Sequence, residues 1–171
     1  LKIKLLIHLL LFVMPKVIIN KIECYRISSK YGDGKVFGQV RGVKSITIIA
    51  IHTNKKIIGY GETYAGVYTP DIIDEIVKYL SSYFIGKQIN NEKILDQINI
   101  PFVGQYGLIK SVLSGIEIAI YDILSKIHKL SLSKYLNHKS SNSINIYASG
   151  GSVTYDIKEI LKEVNYIQDK G

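Results

Sequence analysis

The chain has 171 residues, 47% of them apolar and 21% charged, with 13 tyrosines; this suffices for one domain and the start of a second, and excludes disorder. Its formal charge of +8 rests on 22 basic residues, of which only Arg26 and Arg41 are arginine, and no lysine run is longer than Lys55-Lys56. Without guanidinium forks or a clustered footprint, no nucleic-acid partner is expected. The single cysteine, Cys24, excludes an intrachain disulfide and fits a reducing, cytoplasmic setting, where it reads as a small core residue.

Taken in chain order, the first segment is a basic start, Leu1 to Lys4, before an apolar run, Leu5 to Val13. That run is shorter than the ~20 residues a membrane span needs, and no small-residue cleavage pattern follows it. Met14-Pro15-Lys16-Val17 resembles a start, so residues 1–13 are expected to be an upstream extension or signal-like segment outside the fold, with no membrane partner.

From Val17 to Ile27 apolar residues partly alternate, as in a half-buried strand. Ser28 to Gly42 is a glycine-punctuated loop of functional length. Val43 to Thr53 is a β-branched strand; with Ile46, Ile48 and Ala50 on one face and Thr47, Ile49 and Ile51 on the other, it is expected to be central and covered on both sides. A turn at Thr53 to Lys56 leads into a third strand, Ile57 to Glu62, completing an antiparallel meander.

Helices follow. Thr69-Pro70-Asp71 combines a hydroxyl cap, a first-turn proline and an acid at the positive dipole end, and the helix it starts ends at Gly86. A shorter helix capped by Asn90 or Asn91 carries Ile94, Leu95 and Ile98. The longest, Leu108 to His128, has an apolar stripe through Val112, Ile116, Ile120 and Ile123, with Ser111, Ser114 and Gly115 leaving room for a close neighbour. Leu132 to Leu136 is a short helix, Ile144 to Ala148 a new strand ending at Ser149-Gly150-Gly151, and Asp156 to Gln168 a last helix. The order predicts an α+β domain, a three-stranded meander followed by a helical bundle, and then the first β-α unit of another.

Few residues carry chemistry by themselves. His8, His52, His128 and His138 lack ligand spacing. Asp71, Asp74 and Glu75 are explained by a helix start, and Asp122 with Lys126 by an i, i+4 pair worth ~0.3 kcal/mol. Gly150-Gly151 is a weak phosphate-cradle signal.

Three signatures in one order nevertheless resemble a family. Ile48 to Glu62, ending Gly59-Tyr60-Gly61-Glu62, looks like the second and third strands of the capping domain in the mandelate racemase/muconate lactonizing branch of the enolase superfamily. Ser114 to Lys126, with Tyr121-Asp122, resembles that family's long helix, and Leu132 to Asn137 the segment after it. Asn145-Ile146-Tyr147-Ala148-Ser149-Gly150-Gly151 looks like the opening strand of its barrel. Asn54-Lys55 in place of the usual Asp-Gly, and Gly115 where alanine is common, depart from the pattern.

The resemblance implies an α+β cap, residues 14–139, and the start of a TIM-like barrel, residues 140–171. It also implies Mg²⁺ held by three acids on later barrel strands, with a Lys or His base removing a proton α to a carboxylate. Only 28 residues follow Ser143, whereas a barrel needs ~200 or more, so no catalytic or metal residue is carried over and the chain alone is expected to be inactive. What is carried over shapes the substrate, a small carboxylate or acid sugar. Tyr31, Lys35, Phe37, Gln39 and Arg41 fall in the first specificity loop, Tyr64 and Tyr68 in the second (Glu62 to Tyr68), and Ser149 at the barrel mouth. The parent activity is expected to be an acid-sugar dehydratase or a racemase/epimerase, in an enzyme compatible with a homo-oligomer. The alternative is a non-catalytic module that pairs with a separate barrel chain.

Overall fold

The structure, a computed structural model, describes residues 16–30, 43–98, 107–151 and 155–170. Strands β1 (Ile19–Lys30), β2 (Val43–Thr53) and β3 (Ile58–Thr63) form the expected antiparallel meander in the order β1-β2-β3. The register sets Cys24 opposite Ile49 and Ile49 opposite Gly61, so one face collects Ile22, Cys24, Thr47, Ile49, Ile51, Gly59, Gly61 and Thr63.

That face is the covered one. Helix α1 (Ala65–Tyr68) is a single turn within the segment expected as a loop. Helix α2 (Pro70–Phe84) buries Ile73, Val77, Leu80 and Phe84 at three- and four-residue spacing. A 3₁₀ helix (Glu92–Gln97) starts where Asn91 accepts the Lys93 N–H at 3.0 Å. Helix α3 (Gly107–Ile127) buries Val112, Gly115, Ile116, Ala119, Ile120 and Ile123. Each large side chain buried there contributes roughly 1.5–3 kcal/mol. Helix α4 (Leu132–Leu136) follows, and α5 (Ile157–Gln168) opens with a reciprocal capping box in which Asp156 accepts the Glu159 N–H at 2.8 Å and Glu159 accepts the Asp156 N–H at 2.8 Å.

Four expectations are corrected. The far face of β2 is only partly covered: Ile46 and Ile48 are half-buried, beside exposed Tyr25, Ile27 and Tyr60, because α2 and α3 both pack on the opposite face. The Thr69 hydroxyl donates backwards to the Ala65 carbonyl (3.1 Å) instead of capping α2, joining α1 to α2. Ser114 points to solvent, whereas Ser111 and Gly115 do face neighbours. Residues 144–148 form no strand; Ile144, Ile146 and Tyr147 are 83–89% exposed, since a strand is completed by a neighbour's hydrogen bonds and no described residue supplies them. Helix α5 likewise leaves Ile157, Leu161 and Val164 uncovered.

The departure at the β2–β3 turn has a physical reason. Asn54 accepts the Ile18 N–H (2.9 Å) and donates to the Lys16 carbonyl (3.1 Å), fastening the turn to the beginning of the described chain. Backbone bonds from Ile19 N–H to Lys87, Gly86 N–H to Ile19 and Ile89 N–H to Val17 hold the same segment against the end of α2.

One core polar group is left over. The Thr47 hydroxyl is buried, lies against Gly66, and finds no hydrogen-bond partner among the described residues. Thr47→Val is therefore expected to leave the thermal midpoint unchanged or to raise stability by up to about 1 kcal/mol, checked by thermal denaturation. A marked loss would mean that the hydroxyl has a partner.

Candidate functional site

β1 ends at Lys30 opposite Val43, and β3 ends at Thr63 opposite Thr47, so residues 31–42 and 64–68 both leave from one end of the sheet. Tyr31, Lys35, Phe37, Gln39 and Arg41 lie outside the described residues.

Tyr64 and Tyr68 lie within them and form one unit. Their hydroxyls are 2.7 Å apart and their rings meet edge to face with centroids 5.3 Å apart, as the i, i+4 spacing of one helical turn allows. Both residues are more than half exposed, at 66% and 53%. The hydrogen bond to Tyr64 raises the Tyr68 phenol above the ordinary tyrosine value, with Coulombic repulsion and desolvation adding in the same direction. The two hydroxyls offer hydrogen-bond donors and acceptors, which suits a carboxylate or polyhydroxyl ligand.

Beneath the pair the backbone is closely held. Ser111 of α3 approaches the Thr63 hydroxyl at 3.2 Å and accepts the Ala65 N–H at 3.3 Å. A methyl group on Gly66 would run into Thr47. At the same end Arg26 is paired with Asp71, and the Ser28 and Ser45 hydroxyls meet at 2.9 Å. Sequence reading noted Ser111 as small but missed its partners, because nothing local links residue 111 to residues 63–65.

Ser149 is exposed in the stretch 144–151, which has neither helix nor strand, and among the described residues no hydrogen bond joins it to the tyrosines. The Gly150-Gly151 turn holds a side chain of the protein: Gly151 N–H donates to Glu163 of α5 at 2.7 Å. The Gly59 and Gly61 pair is a packing device. A methyl on either would collide with the α3 carbonyls of Ala119 or Gly115, so glycine lets the helix lie directly on β3. Cys24 is no nucleophile, since burial, helped by a hydrogen bond to Asp74, pushes its thiol up to about 12.

A cleft of about 310 Å³ on the helical side is lined by Glu92, Asp96, Lys110, Glu117 and Tyr121, none of which belongs to this site. Among the described residues no three His, Cys, Asp or Glu side chains are grouped to hold a metal ion, and no helix is long and apolar enough to cross a membrane.

A family model described as mandelate racemase / muconate lactonizing enzyme, N-terminal domain, matches residues 36–136, more than half of the chain. The chain belongs to this family. In the mandelate racemase/muconate lactonizing enzyme fold the meander and the helices above it are the N-terminal capping domain. An L-rhamnonate dehydratase from Saccharopolyspora erythraea is 24% identical over 147 residues, covering 83% of this chain and 36% of the relative. Among solved structures, an enolase-superfamily member from Agrobacterium tumefaciens superposes with a TM-score of 0.74 at 20% identity, covering 92% of this chain and 46% of its own. L-talarate/galactarate dehydratase from Salmonella typhimurium gives 0.72 at 23% identity, covering 91% and 42%. These likenesses show the fold, and the chain spans less than half the length of each of these proteins.

Proposed function

We propose that this chain is the substrate-capping portion of an enzyme that removes a proton α to a carboxylate, an acid-sugar dehydratase or a racemase/epimerase. Residues 14–139 are the cap and 140–171 the beginning of the barrel. The observation that carries the reading is the Tyr64–Tyr68 pair, exposed on a packed scaffold toward the sheet end where β1 stops at Lys30 opposite Val43 of β2. The acid-sugar dehydratases among its relatives support the substrate class.

The chain's own part is recognition. A C–H beside a carboxylate is too weakly acidic for a side-chain base unless the developing charge is stabilised, and that is the chemistry Mg²⁺ would supply. The described residues do not fit a metal site, so none of them is given that role. The phenols of Tyr64 and Tyr68 bind and orient a hydroxyl or carboxylate; Tyr31, Lys35, Phe37, Gln39 and Arg41 would line the other wall, and Ser149 the barrel mouth.

The test is ring-carbon NMR of tyrosine-labelled chain titrated with L-rhamnonate and with galactarate. The signals of Tyr64 and Tyr68 are expected to shift saturably while those of Tyr79 and Tyr83 stay fixed. No response at millimolar ligand would remove the recognition role. A second reading, a non-catalytic module that pairs with a separate barrel chain, is favoured by the apolar side of α5 and the stretch 144–148, neither of which is covered or paired among the described residues. It predicts co-elution with a separately made barrel polypeptide.

A further inference from the structure

Helix α3 lies outside both specificity segments, yet one of its side chains grips the second of them. We propose that Ser111 is a positioning residue that fixes where the Tyr64–Tyr68 wall stands; this rests on the reading of that pair as a substrate wall.

The geometry converges on a single hydroxyl. Ser111 Oγ is 3.2 Å from Thr63 Oγ1, on the last residue of β3, and accepts the Ala65 N–H at 3.3 Å, on the first residue of α1. Tyr64 lies between these two points, so its backbone is held on both sides. Tyr68 closes the same turn: Thr69, the residue after it, returns its N–H (2.9 Å) and its hydroxyl (3.1 Å) to the Ala65 carbonyl. Ala65 is thus held through its N–H by Ser111 and through its carbonyl by Thr69. Thr63 and Ala65 are buried, whereas the two phenols are exposed, so the anchor sits in the core and the contact surface in solvent. The turn has little room to sink, because the space a methyl on Gly66 would need is already filled by Thr47. Without Ser111 Oγ the Ala65 N–H loses its acceptor and α1 is tied to α3 only by packing.

The experiment uses the full 171-residue chain with tyrosine ring-carbon labels and follows titration of Tyr68 and Tyr79. Both phenols titrate above the ordinary value because each is hydrogen-bonded to a tyrosine four residues away, Tyr79 to Tyr83 at 3.0 Å within α2. In Ser111→Ala the Tyr68 midpoint is expected to fall back toward the ordinary value, Tyr79 to stay fixed, and Ala65 amide exchange to rise about tenfold. Ser111→Thr, which keeps the hydroxyl, is expected to restore Tyr68. Loss of the fold as a whole would move both tyrosines, and in that event the same comparison is made in Ser111→Thr against Ser111→Val, which differ only by the hydroxyl. The proposal is overturned if Tyr68 titrates alike with and without the hydroxyl. Because this readout needs no ligand, it can fail while acid-sugar binding stands, and the converse.

Discussion

Gly61→Ala is expected to lower the thermal midpoint of the chain by about 10 °C. The new methyl would point at the Gly115 carbonyl oxygen and the Ala119 nitrogen of α3, backbone atoms on both sides that cannot rotate away. Relief requires lifting α3 from β3, and with it Ile116, Ala119, Ile120 and Ile123 from the core. Overpacking against backbone of this kind costs about 3 kcal/mol or more. In a chain of this length each kcal/mol moves the midpoint by roughly 2–4 °C. Gly86→Ala is the contrast: Gly86 has φ +83° with open space around it, so alanine meets only the left-handed backbone cost of about 1–2 kcal/mol. Thermal denaturation followed by circular dichroism checks both, and a Gly61→Ala midpoint within 2 °C of the parent would refute the packing account.

Asp122→Ala is expected to destabilise the chain by about 2–3 kcal/mol and to make it self-associate. In sequence, Asp122 and Lys126 are an ordinary helical pair. In the structure they reach across to β3, the edge of the sheet. Asp122 accepts the Tyr60 N–H at 2.9 Å, while Lys126 donates to the Ile58 carbonyl and to Asp122, each at 2.7 Å. The pair therefore occupies edge groups that would otherwise be open to another strand. Lys126 also lies 5.1 Å from the centre of the Tyr60 ring. Asp122→Asn keeps an acceptor for Tyr60 and is expected to recover most of the stability. Urea denaturation and light scattering decide the matter; equal damage from Asn and Ala would show that charge, and not the backbone bond, is what matters.

The meander and the main helices were legible because their signals are local. Val43–Thr53 is a run of β-branched residues, and β2 has those bounds; Leu132–Leu136 and the capped start at Asp156 are equally local. Expectation and structure part where the deciding partner is distant in sequence. The stretch 144–148 has a strand's composition without a strand's neighbours, and Thr69 has a cap's composition but is drawn to the Ala65 carbonyl. Of the site, Tyr64 and Tyr68 could be found through the resemblance, but their pairing needed the one-turn helix α1, which four residues do not announce. Gly59 and Gly61 were visible as a motif and Gly115 as room for a close neighbour, whereas the fit between them, a helix lying on bare strand backbone, appears only once strand and helix are in register.

The central claim, that these residues hold a substrate and do not themselves perform the chemistry, is tested most directly by isotope exchange. The chain is incubated in D₂O with Mg²⁺ and an acid sugar such as L-rhamnonate or galactarate, and the carbon beside the carboxylate is examined by NMR. No deuterium above the enzyme-free background is expected; incorporation that grows with the amount of chain would contradict the account.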